Sequence, residues 1–425
     1  MMAIKVRCES ASVDIRTIDI IPPDCKRHDL GFTMQKQEEL ILRHQAALIG
    51  NYGKLPVVFH RGAGSHLWDA NGKEYLDLFA GFGGTILGHC HPALVEAVTR
   101  QANTLWQVGN QFYTEPQIRL AEQLRSKAFT GQAFFCQSGA EAAEAAIKLA
   151  RLSAGPDRFK FVAMNKSFHG RTMGALSATG GPAQQGFAPL VPGFMHVPFN
   201  DVAAVEQAID AQTAGVIVEP IQGEGGINMP NPGYLQALRT LCDRTKVALI
   251  FDEVWVGVGR TGEYFGHQNF GVTPDIMTLG KALGGGLPVG AILARPERAA
   301  YFKPSTHGST LGGNPICAAV AAAVFDELET QHLPQRAKRL GAVAATKLES
   351  FKNRAKIAEI RGCGLFIGVE LVVADGLPVV QEALKHGLII NVTQKNVLRL
   401  CPALTIEEND LLRGLDILDA CLGSI

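Results

Sequence analysis

Apolar runs of five or six residues recur along this chain and alternate with longer stretches of helical texture. That alternation restricts the fold more than any other feature. The runs are AFFCQ (133–137), FKFVAM (159–164), GVIVEP (215–220) and VALIFD (247–252). Several are apolar at consecutive positions, as strands are when helices cover both faces of their sheet. Between them lie EAAEAAIKLARL (141–152) and GYLQALRTLCDRT (233–245), which read as helices. The pattern predicts an α/β fold: a large domain with a mostly parallel sheet flanked by helices.

After about residue 315 the texture changes. CAAVAAAVFDELET and PQRAKRLGAVAATKLESFKNRA read as two long helices, LFIGVELV (365–372) and LRLCPAL (398–404) as shorter strands, and IEENDLLRGLDILDACL as a closing helix. These predict a smaller α+β domain over residues 321–425, joined by residues 41–87, where Asn71-Gly72 marks a hairpin turn. Residues 88–320 form the expected large domain and residues 1–40 an N-terminal extension.

Bulk properties exclude several functions. Forty Lys plus Arg offset forty Asp plus Glu, so nothing draws the chain to nucleic acid or to an anionic membrane. No apolar run approaches the roughly 20 residues that span a bilayer. The nine cysteines are odd in number, scattered and without CxxC spacing, which suits reduced thiols. The first thirty residues mix acids with bases and lack the apolar core of a signal peptide. The expectation is a cytoplasmic protein. His89-Cys90-His91 is no metal site, because adjacent side chains point apart and no fourth ligand is evident.

Three features carry chemistry. In VALIFDEV an apolar strand ends on Asp252, where open α/β sheets bind ligands; alone, it could equally be a surface acid closing a strand. Lys281, in PDIMTLGKALGGGLPVG, is the only charged residue between Asp275 and Arg295. A desolvated lysine is a nucleophile for carbonyls, although one at a helix start can also snorkel to water. Its isolation predicts a site without neighbouring carboxylates, which would favour the protonated amine. In FCQSGAEAAEAAIKLAR a strand runs through Ser138-Gly139-Ala140 into an alanine-rich helix, whose first N–H groups can hold a phosphate or simply be capped by Ser138. It is neither a Walker A loop nor a dinucleotide fingerprint. An acid for a pyridinium nitrogen, an amine for an aldehyde and a helix end for a phosphate together point to pyridoxal 5'-phosphate (PLP).

With those residues in place, the chain from about 45 to 420 resembles the class III PLP-dependent aminotransferases. The likeness rests on LGHCHPALVEAV, SGAEAAEAAIKLAR, FHGRT, EPIQGEGG, FDEV, GRTGE, GKALGGGLP, GSTLGGNP and LRLCPAL. It implies a fold-type I PLP-dependent transferase working as a homodimer with shared active sites. By resemblance, Lys281 bonds the cofactor aldehyde, Asp252 pairs with the ring nitrogen, and Ser138, Gly139 and Ala140 form the phosphate cup. Phe168 stacks on the ring, Val254 lines it, and Thr310 reaches the phosphate in the neighbouring subunit. Arg171 resembles a carboxylate-gripping arginine, and Glu224 with Arg399 a pair that exchanges partners. The implied reaction moves the terminal amine of an ω-amino donor, N-acetylornithine foremost, to 2-oxoglutarate. Ornithine or 4-aminobutyrate is the alternative donor, and an isomerase or racemase, or a non-catalytic scaffold, a more distant reading. The chain departs from the family at Trp255, where Gln is frequent, at Leu311, where Tyr is common, and at Ala140, which lacks a frequent hydroxyl.

Overall fold

A computed structural model describes residues 37–424. These fall into a leading unit that ends at Gly53 and a body from Lys54 onward. The described part of the leading unit holds one helix, Gln37–Ala47, with no buried residue. Most of the extension expected over residues 1–40 lies outside the described residues, and the boundary expected at 40/41 falls inside this unit.

The body is organised on a seven-stranded sheet. Its spatial order is Gln132–Cys136, Gly290–Ala294, Ile276–Leu279, Ala248–Asp252, Thr213–Val218, Lys160–Met164 and Phe194–Val197. The last five are mutually parallel, whereas Gly290–Ala294 runs antiparallel to both its neighbours. Side chains alternate across a strand, and both faces are buried here. Phe161, Ala163, Ile217, Ile250 and Ile276 pack with Ala142, Ala145, Ala146, Ile147 and Leu149 of the helix Gly139–Ala154. Val162, Met164, Val216, Val218, Leu249 and Phe251 pack with Leu235, Leu238, Leu241 and Cys242 of the helix Tyr234–Thr245. Each fully buried Ile, Leu or Val contributes about 1.5–3 kcal/mol, so both faces of this sheet help to hold the body together.

Two smaller sheets adjoin. One orders Ile357–Cys363, Phe366–Leu371, Val397–Leu400 and Asn391–Thr393, all antiparallel. The other orders Phe59–Ala63, His66–Asp69, Glu74–Asp77 and Leu388–Ile389, so early and late chain share a sheet. The expected hairpin turns at Gly72, whose φ of 85° favours glycine. The Asp69 carboxylate accepts from the backbone of Asn71 and Lys73, both at 2.9 Å. Helices Pro315–Thr330, Leu333–Glu349 and Glu408–Leu422 cover the same apolar cluster as the late strands.

Candidate active site

Asp252 closes its strand, paired in register with Thr278 of the next strand. Its Oδ1 accepts from the Val254 amide at 3.0 Å, and its Oδ2 lies 2.7 Å from His169 Nδ1. An ionised carboxylate can only accept, so His169 donates through Nδ1; its Nε2 is buried without a partner. Asp252 is therefore no surface acid.

Lys281 follows the neighbouring strand by two residues, with its backbone at φ 41°. A left-handed conformation costs an L-residue about 1–2 kcal/mol, and it occurs here at the foot of the site. The isolation of Lys281 along the chain does not persist in space. Glu224, Asp252 and Glu219 all favour its charged form, contrary to the expectation of a site without carboxylates. Burial is the largest influence and Arg399 adds to it, bringing the amine from 10.5 down to about 8. Desolvation outweighs the carboxylates, so a neutral, nucleophilic fraction exists near neutral pH.

Ser138 caps the sixteen-residue helix Gly139–Ala154, its hydroxyl accepting from Glu141 N at 3.2 Å. Capping does not consume the amides of Gly139 and Ala140, which lie in the first turn and have no intrahelical carbonyl to bind. Glycine is required for the close approach around them. A Cβ on Gly139 would stand 2.9 Å from Val254 Cγ2, and one on Gly280 3.0 Å from Gly139 N. Helix end, Val254 and the lysine loop thus touch directly.

Phe168 precedes His169, and the Arg171 guanidinium lies 5.4 Å from its ring centroid, exposed. Glu219, buried, accepts from Phe168 N at 2.9 Å and Gly223 N at 2.8 Å. Burial pushes its carboxyl up to about 7, with the Asp252 charge adding and His169 and the two amides opposing. Arg399 lies on Val397–Leu400, the strand between Phe366–Leu371 and Asn391–Thr393. It is central in its sheet and 1% exposed, not an edge-strand surface charge. Its Nη1 donates to Glu224 Oε1 at 2.9 Å, and its Nη2 to Oδ1 of Asn391, its partner in register, at 2.7 Å. Glu224 is 28% exposed in its side chain, and its carbonyl accepts from Thr393 Oγ1 and Gln394 Nε2 at 2.7 and 2.8 Å.

Trp255 sits among these groups, 4% exposed. Lys281 Nζ is 4.1 Å and the Arg399 guanidinium carbon 4.3 Å from its ring centroid. Its Nε1 has no acceptor among the described residues. Thr310 is not brought to Lys281 within the chain. It is exposed, beside Ser309 and Leu311 along a depression lined by Glu141, Glu144 and His307. His89 bonds Asp77 at 2.8 Å, and no group of three potential metal ligands occurs among the described residues.

Sequence reasoning missed His169, Glu219 and Asn391, and treated Trp255 only as a departure. FHGRT and EPIQGEGG contained two of them, but their partners lie 83 and 51 residues away. The geometry fits PLP. Unpaired helix amides suit a phosphate, a carboxylate braced by an imidazole suits a protonated ring nitrogen, and a lysine near pKa 8 suits an aldehyde.

The chain belongs to the class-III aminotransferases, whose family model matches residues 49–422. It is accordingly a PLP-dependent aminotransferase, acting on an amino donor and a keto acid. Among its relatives is the acetylornithine aminotransferase of Caldanaerobacter subterraneus subsp. tengcongensis, 44% identical over 91% of this chain and 100% of that protein. The ornithine aminotransferase of Toxoplasma gondii, in a structure with partial occupancy of PLP at its active site, superposes with a TM-score of 0.88 at 34% identity, covering 93% of this chain and 96% of that one. The acetylornithine aminotransferase of Elizabethkingia anophelis does so at 0.83 and 34%, covering 92% and 99%.

Proposed function

We propose that this enzyme moves the terminal amine of N-acetylornithine to 2-oxoglutarate, giving a semialdehyde and glutamate. The observation that carries the reading is the 2.9 Å pair between buried Arg399 and half-exposed Glu224, in reach of Lys281. With a terminal amine at Lys281, the donor brings no carboxylate to Arg399, and Glu224 neutralises it. Leaving that buried guanidinium unpaired would be strongly unfavourable. With glutamate or 2-oxoglutarate, the α-carboxylate replaces Glu224 in a charge-assisted contact, and Arg171 holds the distal one. The 44% identical acetylornithine aminotransferases support this donor over ornithine or 4-aminobutyrate.

When bound, PLP supplies a ring that accepts the electrons released as the C–H bond beside the amino nitrogen breaks. Lys281 Nζ would take that proton and return it on the far side of the nitrogen, acting as base and then acid. Asp252, oriented by His169, would pair with the ring nitrogen. Ser138, Gly139 and Ala140 would hold the phosphate, and Phe168 and Val254 would contact the ring. Thr310, exposed in one chain, suits a phosphate contact across a homodimer. Residues 88–320 would form the cofactor domain and 321–425, with the early strands, the small one. The free cysteines among the described residues, with Cys136 and Cys242 pushed up to about 12 by burial, suit a reducing cytoplasm.

The test is a panel of donors with 2-oxoglutarate. N-acetylornithine should exceed ornithine and 4-aminobutyrate at least ~10-fold in kcat/KM, a difference of about 1.4 kcal/mol. Preference for ornithine would move the assignment to that donor. Turnover of the donor with no nitrogen appearing in glutamate would indicate an isomerase.

A further inference from the structure

We infer that Trp255 is a positioning residue whose indole face keeps Arg399 seated while the carboxylate opposite it is exchanged, and that it thereby governs uptake of the 2-oxo diacid. This rests on the reading above, in which Glu224 and an acceptor carboxylate alternate at Arg399.

The argument begins with what holds Arg399 once Glu224 swings away. Its remaining polar partners are Asn391 Oδ1 at 2.7 Å and the Gly223 carbonyl at 3.5 Å, and its Nε has none. The nearest aromatic support is Trp255, at 4.3 Å, with the rings of Phe79 and Phe82 at 5.5 and 5.8 Å. A guanidinium over an indole at this distance is attracted by the ring's quadrupole, and more so where water is excluded.

The indole itself is fixed. Phe366 stacks on it at 5.5 Å with an interplanar angle of 23°. Two glycines make room for it: a Cβ on Gly83 would stand 3.1 Å from the ring, and one on Gly223 2.4 Å. Nε1 has no acceptor among the described residues, so the contacts that fix the residue within the chain are made by its face.

Lys281 Nζ lies 4.1 Å from the same centroid, so the reacting amine and Arg399 share one platform. An α-amino acid, with amine and carboxylate on one carbon, spans those two positions. A terminal amine whose carboxylate lies several bonds away leaves Arg399 to Glu224. Loss of the indole should therefore damage the acceptor half-reaction more than the donor half-reaction.

The experiment uses the holoenzyme with Trp255→Leu and Trp255→Phe. Readouts are KM and kcat for 2-oxoglutarate, the donor half-reaction followed without acceptor, and the Kd of glutarate, a non-reacting diacid, read from the cofactor absorption band. In Trp255→Leu, the KM for 2-oxoglutarate and the glutarate Kd should rise about tenfold, the scale of a desolvated cation–π contact. The donor half-reaction should lose several-fold less. Trp255→Phe keeps a π face and should bring acceptor binding back to within about threefold. Equal losses in both half-reactions, an unchanged glutarate Kd, or a Phe variant as weak as the Leu variant would overturn the inference. If Trp255→Leu does not fold, the emission of Trp255 serves, isolated by subtracting that of Trp255→Phe. It should change when glutarate saturates the wild-type enzyme, and an invariant emission overturns the proposal. Wild-type enzyme that makes no glutamate from 2-oxoglutarate would instead sink the functional reading, before any variant is compared.

Discussion

Lys281 gives up its proton more readily than a solvated lysine because burial outweighs three carboxylates. The neutral amine is the reactive form, so in cofactor-free protein its modification by an amine-directed aldehyde should rise with pH. The half-maximum should fall near the pKa of about 8, against 10.5 for an ordinary lysine; peptide mapping of the label against pH checks this. A half-maximum near 10.5 would mean that the site is wet. Lys281 and Asp252 stood out because a charge in an apolar strand or loop is conspicuous in one dimension, and Arg399 entered only through the family resemblance. Glu219 and His169 were not legible, since their work is to brace other groups across 51 and 83 residues. The carboxylates around Lys281 were hidden for the same reason: they are distant in sequence and meet the amine only through the fold.

At the scale of elements, the central strands were legible within two residues of their observed ends, because burial on both faces makes them uniformly apolar. The antiparallel strand Gly290–Ala294 was not, as nothing in GAILA reports direction. That strand has a stringent role. It begins beside Ser138, and a Cβ on Gly290 would stand 2.2 Å from the Ser138 carbonyl oxygen and 2.7 Å from its carbon. Backbone cannot yield as a flexible side chain does, so Gly290→Ala should cost about 1–3 kcal/mol in stability through overpacking. It should also weaken PLP retention more than loss of stability alone explains. Thermal melts of apo- and holoenzyme check this: the melting-temperature gain on adding PLP should shrink in the variant.

At the scale of the whole molecule, a run of exposed apolar side chains marks one surface: Trp106, Phe112 and Tyr113 are 65%, 64% and 94% exposed. This segment is tied to the one carrying Thr310. Gln107 donates to the Thr310 carbonyl at 2.8 Å, Asn110 to Ser309 and Gly312, and Asn314 to Trp106. Clustered exposed aromatics mark interaction surfaces; in the proposed homodimer they would meet the partner, so Trp106→Glu with Tyr113→Glu should yield monomers by light scattering and release PLP. Dimers that persist in the double variant would move the interface elsewhere.

The carbonyl of Glu224 is gripped by Thr393 and Gln394 while its side chain stays partly exposed. Exchange of partners at Arg399 then asks for rotation about a few side-chain bonds, a motion of picoseconds to nanoseconds, and solvent viscosity should leave that rotation untouched.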